Sequence, residues 1–328
     1  MARNILVVGG AGYIGSYMVK MLARHGYQPF VLDNLSRGHK ELVVAGELIE
    51  GDLFDYDLLN DLFSDKKIDA VFHFAALAYV GESMEQPSLY YKNNVCATWN
   101  LLDLMVKHGV KLFIFSSTCA TYGEPQWLPL TEDHPQNPIS PYGRTKLVIE
   151  WMLEDFREAY GLKYVNLRYF NAAGADPEGE VGEWHEPETH LIPNILLSLL
   201  YEDRILEVYG NDYPTPDGTC IRDYIHIHDL CRAHLLALDY LLDGGEPTSF
   251  NLGNGEGYSI LDIIKATEKV TGKKVKFEYR PRRPGDPARL IGSAEKAEKV
   301  LGWKSEFGDI ETIIETAWNW HKKGVGKI

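Results

Sequence analysis

A glycine-rich turn near the start of the chain limits the possible folds more than any other feature. Gly9-Gly10-Ala11-Gly12-Tyr13-Ile14-Gly15 follows directly on an apolar run at 4–8 and opens a segment of helical period at 13–24. A strand entering a helix through glycines in this context is the turn that cradles a dinucleotide pyrophosphate. Gly9 permits the tight reversal, Gly12 lets backbone approach the phosphates, and Gly15 lets helix and strand pack closely. The helix N-terminus adds unpaired N–H groups and positive potential. A second apolar run ends at Asp33, 18 residues after Gly15. A carboxylate there accepts from a ribose diol and repels a 2′-phosphate, which favours NAD over NADP; Arg37 nearby is the residue that argues the other way. Asp52 and Leu53, after a run at 48–51, are placed to edge an adenine. Asp52 reads equally well as a turn or helix cap.

Up to residue 170, short β-branched runs alternate with helical segments. Strands are expected at 4–8, 28–33, 48–51, 70–74, 111–116 and 163–168, and helices at 13–24, 58–63, 89–106 and 142–160. Near-continuous apolar strands separated by helices imply a parallel sheet covered on both faces. The expected fold is therefore α/β: a doubly wound parallel Rossmann sheet with a smaller mixed α/β substrate-binding domain. The first domain is expected over 1–175, with a returning segment near 220–253, and the second, interleaved with it, over 176–328. In the return, strands are expected at 221–227 and 248–252 around a helix at 229–242. The Gly-, Pro- and Glu-rich stretch 171–189 reads as a loop.

The chemistry concentrates in Tyr142-Gly143-Arg144-Thr145-Lys146. Tyr142 and Lys146, four apart at a helix start, share one face. A free tyrosine titrates near ~10 and is a poor base at neutral pH; a neighbouring ammonium and a cationic nicotinamide favour the phenolate. The strand at 111–116 runs into Ser116-Ser117-Thr118-Cys119-Ala120-Thr121-Tyr122-Gly123. A hydroxyl there reaches a reacting oxygen, and Thr118 is the one expected to act.

The glycine spacing resembles the extended short-chain dehydrogenases/reductases. Further segments narrow the resemblance to the UDP-glucose 4-epimerase family. They are Asp33-Asn34-Leu35-Ser36-Arg37-Gly38, Val80-Gly81-Glu82-Ser83, Asn93-Asn94-Val95, Ser140–Lys146, Arg168-Tyr169-Phe170-Asn171, Gly210–Thr215, Arg222-Asp223-Tyr224-Ile225-His226 and Arg282-Arg283-Pro284-Gly285-Asp286. They run in family order over essentially the whole chain. The resemblance implies NAD-dependent epimerisation at C4 of a UDP-hexose through a 4-keto sugar. Tyr142 would be the base, Thr118 its partner, and Lys146 the holder of the nicotinamide ribose. It also implies cofactor contacts from Tyr13, Ile14, Asn34, Ser36, Phe74, Ala75, Asn93 and Tyr169. Substrate contacts would come from Asn171, His190, Leu191, Tyr209, Arg222, Arg283 and Asp286. Three positions depart from the family pattern. His190 replaces an asparagine, Ala78 replaces a lysine near the cofactor phosphate, and Leu290 is intermediate in size at a gate for N-acetylated sugars.

Other readings stay open: a UDP-N-acetylglucosamine or UDP-pentose epimerase, or a non-catalytic NAD-sensing module. A sugar 4,6-dehydratase needs an acid–base pair just after the threonine, where this chain has Cys119 and Ala120; a UDP-glucuronate decarboxylase is disfavoured likewise. With 33 Lys+Arg against 47 Asp+Glu, the net charge of −14 speaks against nucleic-acid or anionic-membrane partners. No apolar run approaches a membrane span. The N-terminal run leads straight into the glycine loop, so no leader is expected. Cys96, Cys119, Cys220 and Cys231 lack metal or disulfide spacing, which points to a cytoplasmic enzyme. No metal site is expected: His226 and His228 share a strand face but lack a third ligand. A homodimer through the helices at 89–106 and 142–160 is expected.

Overall fold

The computed structural model describes residues 2–201, 203–283 and 285–324; Pro284 of the basic loop and residues 325–328 of the expected second domain lie outside the described residues. The first half alternates as the periodicity implies. β1 (Asn4–Val8), α1 (Tyr13–Arg24), β2 (Gln28–Asp33), β3 (Glu47–Glu50), α2 (Tyr56–Lys66), β4 (Ala70–His73), α3 (Val80–Glu85), α4 (Pro87–Tyr90), α5 (Ala97–Lys107), β5 (Leu112–Thr118), α6 (Pro141–Tyr160) and β6 (Lys163–Tyr169) follow one another. The second half contains β7 (Asn171–Ala173), α7 (Leu191–Leu200), β8 (Leu206–Tyr209), β9 (Ile221–Arg222), β10 (Tyr224–His226), α8 (Ile227–Leu242), β11 (Thr248–Leu252), β12 (Tyr258–Ser259), α9 (Ile260–Thr271), β13 (Phe277–Arg280), β14 (Arg289–Leu290), α10 (Glu295–Leu301) and α11 (Ile310–His321).

Successive residues of the central strands face two different cores, and both sets are apolar. In β1, Ile5 and Val7 point into one core while Leu6 and Val8 point into the other; in β5, Ile114 opposes Phe113 and Phe115. Burial on both faces drives a parallel sheet sandwiched by helices. The sheet has seven strands in the order β11-β6-β5-β4-β1-β2-β3, all parallel. Strand order reverses between β1 and β4, and a ligand crevice opens beyond the strand ends there. A third core joins α7, α9 and α11 through Ile192, Ile195, Ile263, Ile313 and Trp318.

The return to the sheet takes the form of α8 and β11, and it extends further than the motif pattern suggested. Ala294, Ala297 and Trp303 also pack into the first core. The expected strand at 221–227 divides in two. β9 pairs with β12 and β14, whereas β10 pairs with β7, which forms at the start of the expected loop. The division falls at Asp223, whose carboxylate turns away to accept from the backbone N–H groups of Asn254, Gly255 and Gly292 at 2.9–3.2 Å. Helix α8 begins at Ile227 because the His226 ring accepts from His228 N; Asp229 does not cap it. The Asp229 carboxylate accepts instead from Ser305, Glu306 and Phe307. The expected helix at 89–106 is interrupted by a π-turn over Tyr91–Cys96. Such turns concentrate at functional sites, and this one carries Asn93. Helix α6 starts where its sequence dictates: Ser140 caps it by accepting from Gly143 N, and Pro141 fills the first turn.

Candidate active site

The glycine turn is shaped by contacts between backbones. Gly9 has φ of 80°, and a Cβ there would lie 2.5 Å from Ala75 N. A Cβ on Gly15 would lie 2.1 Å from Gly9 O, whereas one on Gly12 would meet nothing nearer than 3.4 Å. Gly9 and Gly15 are thus demanded by the fold, and the Gly12 face is left open for a ligand. Asp33 accepts from Ala11 N and Leu35 N, both at 2.9 Å, and burial raises its carboxyl above the usual range. A carboxylate has lone pairs to spare for a ribose diol. Arg37 is engaged elsewhere: it pairs with Glu82 at 3.0 Å, donates to Glu186 O and covers the Tyr79 ring. That removes the arginine that argued for a 2′-phosphate. Asn34 ties the adenosine end together, donating to Asp52 at 2.7 Å and accepting from Ser36. Asp52 also accepts from Phe54 N, so it orders a turn, while Asp55 caps α2. The Tyr13 hydroxyl donates to Gly174 O at 2.6 Å.

These residues lie with Ile14, Leu53, Phe74, Ala75, Asn93 and Tyr169 along one cavity of about 1860 Å³. A drug-sized pocket is roughly 300–1,000 Å³, so this one has room for two nucleotides. Open glycine backbone, a helix N-terminus and a carboxylate at the second strand end all fit a bound NAD.

The same cavity holds Thr118, Tyr142 and Lys146. Burial pushes the Tyr142 phenol far up and Tyr169 adds to the shift, while the adjacent Thr118 hydroxyl opposes it. Thr118 Oγ1 accepts from Ala120 N at 3.2 Å, which aims the hydroxyl. Lys146 is 3% exposed, and burial lowers its ammonium to about 7 against the pull of Glu150. Its Nζ donates to Ser116 O at 2.9 Å. Tyr169 is held by a 2.5 Å hydrogen bond with Ser116 Oγ. Ser117 donates to Glu150, which forms a buried two-point pair with Arg168 at 3.0 and 2.6 Å.

At the far end of the cavity lie Asn171, His190, Leu191, Tyr209, Arg222, Arg283, Asp286 and Leu290, with Ala78 on the cofactor side. Several already have partners. Asn171 donates to Asp223 O, and Arg222 pairs with Asp286 at 3.0 Å. The Arg283 guanidinium sits 3.9 Å over the Tyr209 ring, so two residues expected to act separately stack on each other. His190 turns Nδ1 onto Glu183, which leaves Nε2 as its nitrogen for a substrate.

That contact belongs to a grouping that sequence reasoning missed. Glu183, His185, Glu188 and His190 each bring one ligating atom within 4.8 Å of the other three. The clue was their alternation within the eight residues Glu183-Trp184-His185-Glu186-Pro187-Glu188-Thr189-His190. The histidines weighed as ligands from their spacing, His226 and His228, have other work. They form the cap of α8, with His226 Nε2 on Thr316 and His228 on Tyr17.

Residues 5–253 match the NAD-dependent epimerase/dehydratase family. The chain belongs to that family. Among epimerase/dehydratase relatives, a UDP-glucose 4-epimerase of Halalkalibacterium halodurans is 52% identical over 97% of this chain and 96% of its own length. The crystal structure of UDP-glucose 4-epimerase from Brucella ovis in complex with NAD superimposes with TM-score 0.94 at 52% identity, covering 97% of this chain and 98% of that one. The Bifidobacterium longum UDP-glucose 4-epimerase in complex with NAD+ and UDP gives 0.94 at 39% identity, covering 99% and 100%.

Proposed function

We propose that this protein is an NAD-dependent isomerase that interconverts UDP-glucose and UDP-galactose by epimerisation at C4 through a 4-keto sugar. The observation that carries the reading is one cavity lined both by the open glycine turn and by Tyr142, Thr118 and Lys146. Full-length similarity to UDP-glucose 4-epimerases, two of them crystallised with NAD, supports it. An NAD-sensing module would need the glycine turn and Asp33 but not these three side chains together.

NAD, when bound, would supply reversible hydride acceptance at C4 and a positive ring that favours the Tyr142 phenolate. Tyr142 takes the proton of the sugar 4-hydroxyl and later gives it back. Thr118 donates to the same oxygen as charge develops on it. Lys146 leaves the Ser116 carbonyl for the nicotinamide ribose and adds a second positive charge beside Tyr142. Asn171, His190 Nε2, Leu191 and Arg222 hold the diphosphate region, Arg283 reaches it by leaving the Tyr209 ring, Tyr209 lies against uracil, and Asp286 holds the uridine ribose. Forked guanidinium groups suit phosphate oxygens, and their local charge outweighs the protein's net charge at screened distances. Among the described residues no helix is long and apolar enough to cross a membrane. We assign the enzyme to the cytoplasm, supported by four cysteines with no disulfide among them.

The test is incubation of purified protein with UDP-glucose, and separately with UDP-N-acetylglucosamine, with no NAD added. Appearance of UDP-galactose is expected. No product, even with NAD supplied, would overturn the assignment. Leu290 lines the cavity and packs against the cluster of Cys119, Tyr122, Leu130 and Phe170. Turnover in the second tube, abolished by Leu290→Tyr, would extend the substrate range to N-acetylated sugars.

A further inference from the structure

We propose that Glu183, His185, Glu188 and His190 form a binding site for one first-row divalent cation, zinc by preference, that fastens the segment roofing the cofactor cavity. The donor set is mixed imidazole and carboxylate, which suits zinc and its neighbours over calcium or magnesium. The geometry converges. Glu183 Oε1 lies 3.2 Å from His185 Nδ1 and hydrogen-bonds His190 Nδ1. Glu188 Oε2 lies 3.8 Å from His185 Nδ1, and Glu188 Oε1 lies 3.8 Å from His190 Nδ1. Donors arranged tetrahedrally around zinc at ~2.0–2.1 Å stand roughly 3.3 Å apart, so small side-chain adjustments close the shell.

Two observations distinguish this cluster from ordinary surface charge. The carboxylates are inside: the Glu183 and Glu188 side chains are 3% and 6% exposed. His185 Nδ1 is buried and, although Glu183 approaches to 3.2 Å, it has no well-aligned hydrogen-bond partner, so it faces the carboxylates without a saturating bond. The ligands are also held from behind. Glu188 Oε1 accepts from Thr189 N and His190 N at 2.8 Å, and Glu183 O accepts from Trp320 Nε1 at 2.9 Å. Orientation of this kind accompanies real metal ligands. The other acidic grouping, Asp176, Glu178 and Glu180, already surrounds the Lys20 ammonium and needs no ion.

The location gives the cation its role. Trp184 stacks on His39 at 3.7 Å, and Pro187 O accepts from the Tyr79 hydroxyl. At its end the segment becomes the cap of α7. A cation here clamps a strap lying between the dinucleotide half and the substrate half.

The test uses the full-length protein purified without a polyhistidine tag, gel-filtered in metal-free buffer and analysed for metals by mass spectrometry. About one equivalent of zinc per chain is expected, reduced at least tenfold in His185→Ala and in Glu188→Gln. Stripping with a chelator should lower Tm by roughly 5 °C or more, and zinc chloride should restore it. Glu188→Gln keeps the size of the side chain, so its metal content stays readable if His185→Ala folds poorly. Metal-free protein that shows no zinc uptake by calorimetry, and no Tm response, would reduce the cluster to an ion-paired network and overturn the proposal. So would zinc retained in full by both variants. Neither readout depends on epimerase turnover.

Discussion

Tyr142 sits where burial opposes its own anion. Burial and the neighbouring Tyr169 raise its pKa, and the Thr118 hydroxyl pulls against them. The protein alone therefore keeps Tyr142 a phenol, and the phenolate depends on positive charge arriving with the cofactor and with a redirected Lys146. Tyr142→Phe should keep bound NAD, read from absorbance after denaturation, while turnover falls roughly 10²–10⁴-fold. Unchanged turnover would remove Tyr142 from the role of base. The glycines differ in a parallel way. At Gly9 and Gly15 protein atoms stand within 2.5 Å of the place a Cβ would take, whereas Gly12 is spared for the ligand.

Among the elements, α6, β5 and β6 are locked together by one buried polar knot. Glu150 of α6 meets Arg168 of β6 and Ser117 of β5, and Arg168 also donates to the Tyr122 hydroxyl at 3.0 Å. The two charged side chains are 5% and 7% exposed. Removing one partner strands the other, so Glu150→Gln should destabilise by about 3–5 kcal/mol. Denaturant unfolding measures this; a loss below about 1 kcal/mol would show the pair unimportant to stability. Asp223 joins β9, β10 and two loops in a comparable way. Burial raises its carboxyl to about 6 despite three backbone donors. A raised folded-state pKa means that the native protein binds the proton more tightly. The stabilisation is fully present below the unfolded value near ~4 and is lost as pH rises through about 6. The stability of wild type minus that of Asp223→Asn should therefore drop by about 2 kcal/mol between pH 4 and 7. A pH-independent difference would contradict the assignment.

At the scale of the whole molecule, large apolar side chains are left on the outer surface of α5 and α6. Trp99 is 53% exposed and Trp151 60%. Leu89, Tyr91 and Tyr160 extend the exposed apolar surface along the same helical segments. We propose that two copies bury this surface across a two-fold axis, as the helix periodicity suggested. Light scattering at micromolar concentration should give a dimer mass, and Trp151→Glu should shift it to monomer. A monomeric wild type would refute the proposal.

Local geometry explains how much of the fold and the site was legible in the sequence. The glycine turn, Asp33 and the Tyr142–Lys146 spacing each lie within one or two neighbouring elements, where the helix and strand periods fix which side chains meet. The parallel sheet followed from apolar runs of strand length separated by helical ones. The capping of α8 by His226, the π-turn at Asn93 and the divided strand around Asp223 were not legible. Each depends on a partner that tertiary packing supplies: Thr316, the Asn94–Thr145 contact, and the 254–255 and 292 backbone. The Glu183–His190 cluster lay in plain sight as a spacing, but an irregular segment has no period from which to infer which side chains converge. By itself the sequence determined the parallel nucleotide-binding fold and singled out the side chains proposed to react, because local periodicity and chemistry suffice for both. Only the tertiary structure decided which charges are buried together and which partners they hold, because those pairings join residues far apart in the chain.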